Sequence, residues 1–404
     1  MVQDAAVVAP GFGEMPGFGG ILKLHRGLGT PFQEGAVDEE RGVQGARKKR
    51  YELCRRRSAV VGVTKIAVLD DYIGVALEYG DWSALPGDAE ITVYREAIPP
   101  ERLVDELSTY EIVVITQQRA RFPRKVLEGL PNLKLLVCNG RTSNVIDHEA
   151  RIERGILLCG IAETSRGAPA RPSYSEAPGG LPAPSEMAWA LIFAVAKRIG
   201  IEDRAIRAGG WQTGFPVSLA GKTLGLLGAG HLGGAMVPVA KALGMNVVAW
   251  SQNLTEERCA ELGAALVTKD ELLSSADVLG VFLVFSERSR NTLRAGDLAK
   301  MKAGAILVNI SRGPIVEEAA LIQALRSGHL AGAGLDVFDR EPLPADHPFR
   351  SLDNVVVTPH IGYVTERLFR TAWQRMAEDV AAYLAGSPIR VVTDPADCPP
   401  MVPQ

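Results

Sequence analysis

Cysteine is scarce in the 404-residue chain: there are five, at Cys54, Cys138, Cys159, Cys259 and Cys398, and none is in C-x-x-C spacing. This excludes a disulfide frame and a finger-type zinc site, and reads as reduced, intracellular thiols. Long apolar runs are also missing. No stretch of about 18 residues is free of charge and polar groups, so no transmembrane helix is expected. Nor does one sign of charge dominate. Lys and Arg number 44 against 47 Asp and Glu, and the net charge of −3 gives no general electrostatic reason to bind nucleic acid or an anionic membrane. What remains is an ordinary composition, 47% hydrophobic and 23% charged, long enough for two domains with a core in each.

Residues 1–62 have no clear periodicity, hold several glycines and end in a basic cluster from Arg47 to Arg57. The acids Asp4, Glu14, Glu34, Asp38, Glu39 and Glu40 argue against an organellar transit peptide, and no apolar core of a secretion signal is present. The expectation is a largely disordered extension on a cytoplasmic protein. From Val63 the pattern turns to short apolar runs alternating with amphipathic stretches. Lys65 to Leu69, Ile91 to Tyr94, Ile112 to Thr116, Leu133 to Cys138 and Ile156 to Leu158 read as strands, with helical segments such as Glu101 to Leu107 and Arg124 to Leu130 between them. That alternation predicts an α/β domain with a parallel sheet. Clustered Pro, Gly, Ser and Ala from Glu163 to Pro184 read as an exposed interdomain loop. Ser185 then suits an N-cap, opening a helix that runs to about Ala208.

Thr223 to Gly234, Thr-Leu-Gly-Leu-Leu-Gly-Ala-Gly-His-Leu-Gly-Gly, is a buried-strand pattern running into a glycine turn and a helix. The turn spells G-x-G-x-x-G at Gly228, Gly230 and Gly233. Those glycines would permit a tight bend, a close approach of backbone to a pyrophosphate, and close packing of helix on strand. The helix N-terminus favours negative charge there. A second strand, Asn246 to Trp250, follows at βαβ distance. Further strands are expected at Val278 to Phe285, Ala305 to Ile310, Gly332 to Val337 and Val355 to Thr358, and a long amphipathic helix at Glu366 to Leu384 is expected to return to the first domain.

Three segments lie at the C-terminal ends of expected strands, where open parallel sheets bind ligands. Val308 to Pro314 places Arg312 just past a strand, where it could hold a carboxylate by two parallel charge-assisted bonds. Gly334 to Leu343 offers Asp336 and Glu341. Val357 to Gly362 offers His360, a candidate acid/base at a strand end. The other histidines, His25, His148, His231, His329 and His347, have no such setting.

Taken together and in this order, the Gly228 turn, Asn309 to Gly313, Leu335 to Pro342 and Thr358 to Gly362 resemble the D-isomer-specific 2-hydroxyacid dehydrogenases over residues 63–392. The resemblance implies an α/β chain of two doubly wound parallel-sheet domains with the active site in the cleft. One is a Rossmann cofactor domain, residues 185–362. The other is a flavodoxin-like substrate domain, residues 63–162 and 363–395, joined to it through residues 163–184. It implies NAD as cofactor, a small 2-hydroxy or 2-keto acid as substrate, no metal, and a homodimer built largely through the cofactor domain. Carried over, Arg312 orients the keto acid, His360 is the acid/base, and Glu341 pairs with it, favouring the imidazolium and so raising its pKa. Gly228, Gly230, His231, Leu232, Gly233, Ser251, Ile310 and Asp336 fall at cofactor positions, Asp336 at the nicotinamide end. Gly140, Arg141 and Thr142, after Asn139, resemble the loop whose backbone amides receive the substrate carboxylate.

Two departures stand out. Ser251 occupies the place where NAD-preferring sheets carry an acid for the ribose 2′-hydroxyl, which leaves NADP possible, and no arginine follows before Arg258. The loop 163–180 is longer than the family needs. The competing expectation is a non-catalytic NAD(H)-sensing binding protein of the corepressor type, since fold alone does not fix function.

Overall fold

The structure, a computed structural model, describes residues 63–117, 119–140, 142–161, 180–392 and 401. All of them fall in one compact unit, Ala59–Gln404. Residues 1–62, Gln118, Arg141 and residues 162–179, 393–400 and 402–404 lie outside the described residues. So do the expectations placed on them: the N-terminal extension, Arg141, most of the interdomain loop and the 393–395 end of the substrate domain.

Two sheets, parallel throughout, make up the fold. The first has the order β2-β1-β3-β4-β5, from β1 (Thr64–Leu69), β2 (Ala89–Val93), β3 (Ile112–Ile115), β4 (Leu135–Cys138) and β5 (Leu157–Gly160). This is the flavodoxin-like order. The second has the order β12-β11-β10-β9-β6-β7-β8, from β6 (Thr223–Leu227), β7 (Asn246–Trp250), β8 (Ala265–Leu266), β9 (Val278–Val281), β10 (Ala305–Asn309), β11 (Leu330–Leu335) and β12 (Val355–Val357). Its first six strands in the chain repeat the Rossmann order, and β12 extends it.

The strands read as unbroken apolar runs because both faces are covered. In the first sheet Ile66, Val68, Ile112 and Val114 enter one core, and Ala67, Leu69, Val113 and Ile115 the other. In the second, Leu224, Leu226, Ile306 and Val308 face one side while Leu227, Leu279 and Leu307 face the opposite side. This is the two-residue period of a strand. The helix Glu366–Leu384 lays Phe369, Trp373, Met376 and Val380 on the Ile66 side of the first sheet. Its N-cap Thr365 accepts a bond from Leu368 N.

The structure corrects several boundaries. The helix expected from Ser185 to Ala208 is two helices, Ala183–Ala196 and Ile199–Arg207, broken where Arg198 takes φ 58°. Val217 N–H donates to Ala196 O, and Lys197 Nζ to Val217 O, so a returning strand of backbone ends the first helix. Helix-forming residues continue through the break, which hides it in the sequence. Ser185 is not the N-cap, because the helix opens after Pro182; the buried Ser185 Oγ donates instead to Leu232 O, tying this helix to the glycine turn. The strand expected over Val278 to Phe285 stops at Val281, and the short β8 was not anticipated. Among the described residues no helix is long and apolar enough to cross a membrane.

Candidate active site

Both sheets reverse their strand order beside the first strand of each, between β1 and β3 and between β6 and β9, and such points open a crevice at the C-terminal strand ends. Gly228 leaves β6 at φ 100°, where a β-carbon would meet the Phe282 backbone at 3.0 Å. An added Cβ at Gly233 would lie 2.1 Å from Gly228 O, so the helix His231–Ala242 can approach the turn only because Gly233 has no side chain. At Gly230 an added Cβ would meet nothing within 4 Å. Gly230 and His231 are exposed at the helix N-terminus, whose first N–H groups lack intrahelical partners. The turn therefore fits the pyrophosphate of a dinucleotide. Leu232 and Ile310 pack in the core beneath it. Ser251 follows β7, and Gly228 N–H donates to Trp250 O beside it. Arg258 is paired with Glu261 at 2.9 Å on the helix Glu256–Leu262, whose first turn carries Glu256 and Glu257.

Three loops of the second sheet converge. After β10, the buried Asn309 shapes the turn: its Nδ2 donates to Arg312 O at 2.9 Å and its Oδ1 accepts from Ser311 N at 3.0 Å. Arg312 itself is exposed. Gly313 lets this loop rest on the next, since a β-carbon there would sit 2.1 Å from the carbonyl carbon of Phe338. After β11, Glu341 turns back so that Oε1 accepts from Phe338 N at 3.0 Å, and Oε2 accepts from His360 Nδ1 at 2.7 Å. Burial alone would push the Glu341 carboxyl up. The hydrogen bond and charge of His360, with the charge of Arg119, hold it below the usual glutamate value.

His360 stands at φ 56°, in the left-handed region that side chains disfavour. Asp336, 1% exposed, clamps the loop around it. Its carboxylate accepts from Thr358 Oγ1 at 2.6 Å, Ile361 N at 2.9 Å and Gly362 N at 2.8 Å. Burial raises the Asp336 carboxyl, and these donors act against that rise. Because Nδ1 of His360 is engaged by a carboxylate, Nε2 is the ring nitrogen left for a reacting group.

The first sheet supplies groups that sequence reasoning missed. Arg119, on the loop after β3, lies 3.0 Å from Glu341 Oε2. Asp70, after β1, accepts from Arg119 N at 3.1 Å, and Thr116 Oγ1 donates to Leu69 O at 2.8 Å, lacing the two loops together. Tyr363 sets its ring edge-on to His360 at 5.8 Å, and burial pushes its hydroxyl up to about 12. Position at a strand end was the available signal for Arg119, one residue past Gln118. Gly140, at φ 134°, and Thr142 sit on the loop after β4. There Thr142 Oγ1 lies 3.3 Å from His148 Nε2. The structure thus joins Glu341 to His360, clamps the His360 loop with Asp336, and sets the Arg312 loop against the Glu341 loop.

Comparison with known proteins bears on the family and the fold. The family model "D-isomer specific 2-hydroxyacid dehydrogenase, NAD binding domain" matches residues 189–362. The chain is 33% identical over 329 residues to D-3-phosphoglycerate dehydrogenase of Archaeoglobus fulgidus, covering 81% of this chain but only 58% of that protein. It is 31% identical to hydroxypyruvate reductase of Blautia hydrogenotrophica over 344 residues, 81% of this chain and 99% of the relative. Among solved structures, phosphoglycerate oxidoreductase from Vibrio cholerae superposes with a TM-score of 0.70 at 30% identity, over 80% of this chain and 99% of the other. D-lactate dehydrogenase from Aquifex aeolicus, complexed with NAD and lactic acid, does so with 0.62 at 25%, over 80% and 96%. The chain belongs to the D-isomer-specific 2-hydroxyacid dehydrogenases, enzymes that act on a CH–OH group with NAD(P).

Proposed function

We propose that this chain interconverts a D-2-hydroxy acid and its 2-keto acid through Arg312, Glu341 and His360. The observation that carries the reading is the 2.7 Å bond from His360 Nδ1 to Glu341, which presents Nε2 to the substrate. When bound, the nicotinamide supplies or accepts the hydride. Arg312 holds the substrate carboxylate by its guanidinium, and backbone amides of the loop 140–142 assist. In reduction, His360 Nε2 gives its proton to the carbonyl oxygen as that oxygen becomes an alkoxide; in oxidation it takes the proton back. General acid catalysis of this kind contributes about 10² to 10⁴ in rate. Glu341 keeps the imidazole oriented and steadies its charge.

NAD(H) is the cofactor we favour. No base stands between Ser251 and Arg258, Arg258 is already paired with Glu261, and Glu256 and Glu257 open the following helix, so a 2′-phosphate would meet carboxylates. We further propose a cytoplasmic homodimer. The segment after the helix Ile199–Arg207 exposes Trp211 at 73% and Phe215 at 97%, apolar surface of the kind that a second copy covers. Over the described residues we divide the chain into a substrate domain, residues 63–161 and 363–392, and a cofactor domain, residues 185–362.

The test follows oxidation of NADH and, separately, NADPH by absorbance against glyoxylate, hydroxypyruvate, pyruvate, phenylpyruvate and 2-oxoglutarate. Turnover with a keto acid, lost in His360→Asn while the cofactor still binds, supports the reading. Cofactor binding without turnover on any of them would overturn it in favour of a sensing protein.

A further inference from the structure

One oxygen of Glu341 carries two partners. Oε2 accepts from His360 Nδ1 at 2.7 Å and lies 3.0 Å from Arg119 Nη1. His360 follows β12 of the second sheet and Arg119 follows β3 of the first, so this ion pair runs from one sheet to the other. Arg119 is a fixed group, its side chain only 10% exposed. Its Nη1 also donates to Gln117 O at 2.7 Å, and its backbone N–H to Asp70 Oδ2 at 3.1 Å. The buried Thr116 ties the β3 loop to the end of β1. The surrounding charged and titratable groups are Asp336 under the His360 loop, Tyr363 edge-on to the imidazole, Asp70 and Tyr72 beside Arg119, and Arg312 near Tyr363. Of these, Arg119 is the cation within ion-pair distance of Glu341.

We propose that Arg119 is a positioning residue for the Glu341–His360 pair, holding the glutamate from across the cleft and sharing its charge so that His360 gives up its proton more readily. The proposal rests on the roles of Glu341 and His360 in the proposed function. A carboxylate that must serve two cations holds each less strongly than it would hold one, and a guanidinium close to an imidazolium disfavours the charged ring. Arg119 stays charged at any working pH, so the effect depends on geometry alone. It exists only while the loops after β3 and β12 are together. Separation of the two sheets would leave Glu341 to His360 alone, and the proton would be held more tightly. Closing the cleft thus brings the acid into its working state.

The experiment compares wild type, Arg119→Gln and Arg119→Lys in the pH dependence of kcat/KM for keto acid reduction, with thermal melts to verify folding. Removing the cation lets His360 keep its proton to higher pH. In Arg119→Gln the pH at which reduction falls by half is therefore expected to rise by about half a unit or more, with KM changed less than about threefold. Arg119→Lys, which keeps the charge, is expected to restore most of the wild-type profile. An unmoved profile with KM raised tenfold or more would overturn the proposal, because Arg119 would then be gripping substrate directly. A profile and a KM both unmoved would overturn it as well. In parallel, the imidazole resonances of cofactor-free wild type and Arg119→Gln are titrated by NMR, with the His360 signal identified by its loss in His360→Asn. Upward movement of that midpoint in Arg119→Gln is expected, and an identical midpoint overturns the proposal. Absence of turnover in wild type would sink the proposed function separately, leaving the NMR titration to decide the role of Arg119.

Discussion

Gly313→Ala is the substitution whose effect the geometry of the site determines most directly. The added β-carbon would lie 2.1 Å from Phe338 C and 2.4 Å from both Asp339 N and Phe338 O, all of them backbone atoms that cannot rotate away. Ordinary contact begins near 3.4 Å, so the loops after β10 and β11 must separate by more than an ångström. One loop carries Arg312, held in shape by Asn309. The other carries Glu341, whose Oε1 is bonded to Phe338 N, the residue being pushed. The clash therefore moves Arg312 away from the Glu341–His360 pair. Overpacking of this sort costs about 1–3 kcal/mol, which lowers Tm by several degrees in a domain of this size. Activity is expected to suffer more, because a misplacement of about 1 Å at a reacting geometry removes about 10² in rate. The assay is kcat/KM for NADH-dependent keto acid reduction, beside NADH affinity from fluorescence quenching. We expect a loss of about 10² in the first and less than about threefold in the second, since the Gly228 turn lies on a different strand. Activity within threefold of wild type would refute the claim that the contact of these two loops sets the site.

Asp336→Asn replaces one of two accepting oxygens by a donor. The Thr358, Ile361 and Gly362 bonds then cannot all be kept, at about 1–3 kcal/mol for the buried donor left over, and kcat should fall as the His360 loop loosens; chemical denaturation and kinetics measure both. Glu341 titrates below its ordinary value of 4.5, so its ionisation stabilises the fold above that pH, and the contribution is lost as pH falls through the lower folded value. The urea midpoint of wild type should accordingly drop on acidification below pH 4.5, and that of Glu341→Gln should start lower and fall less. Asp379 has the opposite sign. Burial raises it from 3.8 to about 6, one oxygen bonded to Arg390 and the other without a partner, so ionisation across that window weakens the fold. Stability of wild type should decline from pH 4 to 6 by this term, and Asp379→Asn should remove the slope. Ser251→Asp places a carboxylate where a ribose 2′-hydroxyl would lie, and should lower kcat/KM with NADPH tenfold or more while sparing NADH, in the same absorbance assay.

Legibility in the sequence followed the range over which each feature is built. The Gly228 turn is nearly local: Gly233 answers to Gly228 within one strand-turn-helix unit, Gly228 answers also to the Phe282 backbone just past β9, and Gly230 stays open. Arg312, Glu341 and His360 each sit a few residues beyond a strand that reads as unbroken apolar residues, so residue type and strand end together marked them. Their mutual contact could not be read, but a known order of motifs stood in for it. The break after Ala196 and the misplaced cap at Ser185 fail for the converse reason. The break answers to a partner distant in sequence, Val217, while the local residues continue a helical pattern; the helix opens earlier, at Pro182, which leaves the Ser185 hydroxyl inside it to bond Leu232 O.

Arg119 is the sharpest case of the same principle. Nothing in Gln117, Gln118, Arg119 and Ala120 distinguishes a functional arginine from one on the surface, because its partner Glu341 belongs to the other sheet. Topology supplies what spacing does not. In the first sheet the strand order reverses beside β1, so the loops after β1 and β3 flank a crevice; in the second it reverses beside β6, where the Gly228 turn does the same. Parallel strands send all of these loops out at their C-terminal ends. Once the two crevices face each other, a cation at the end of β3 and a carboxylate past the end of β11 meet, with 3.0 Å between them. The Arg119–Glu341 contact therefore depends on the sheets being together, whereas the bond from His360 to Glu341 lies within the second sheet.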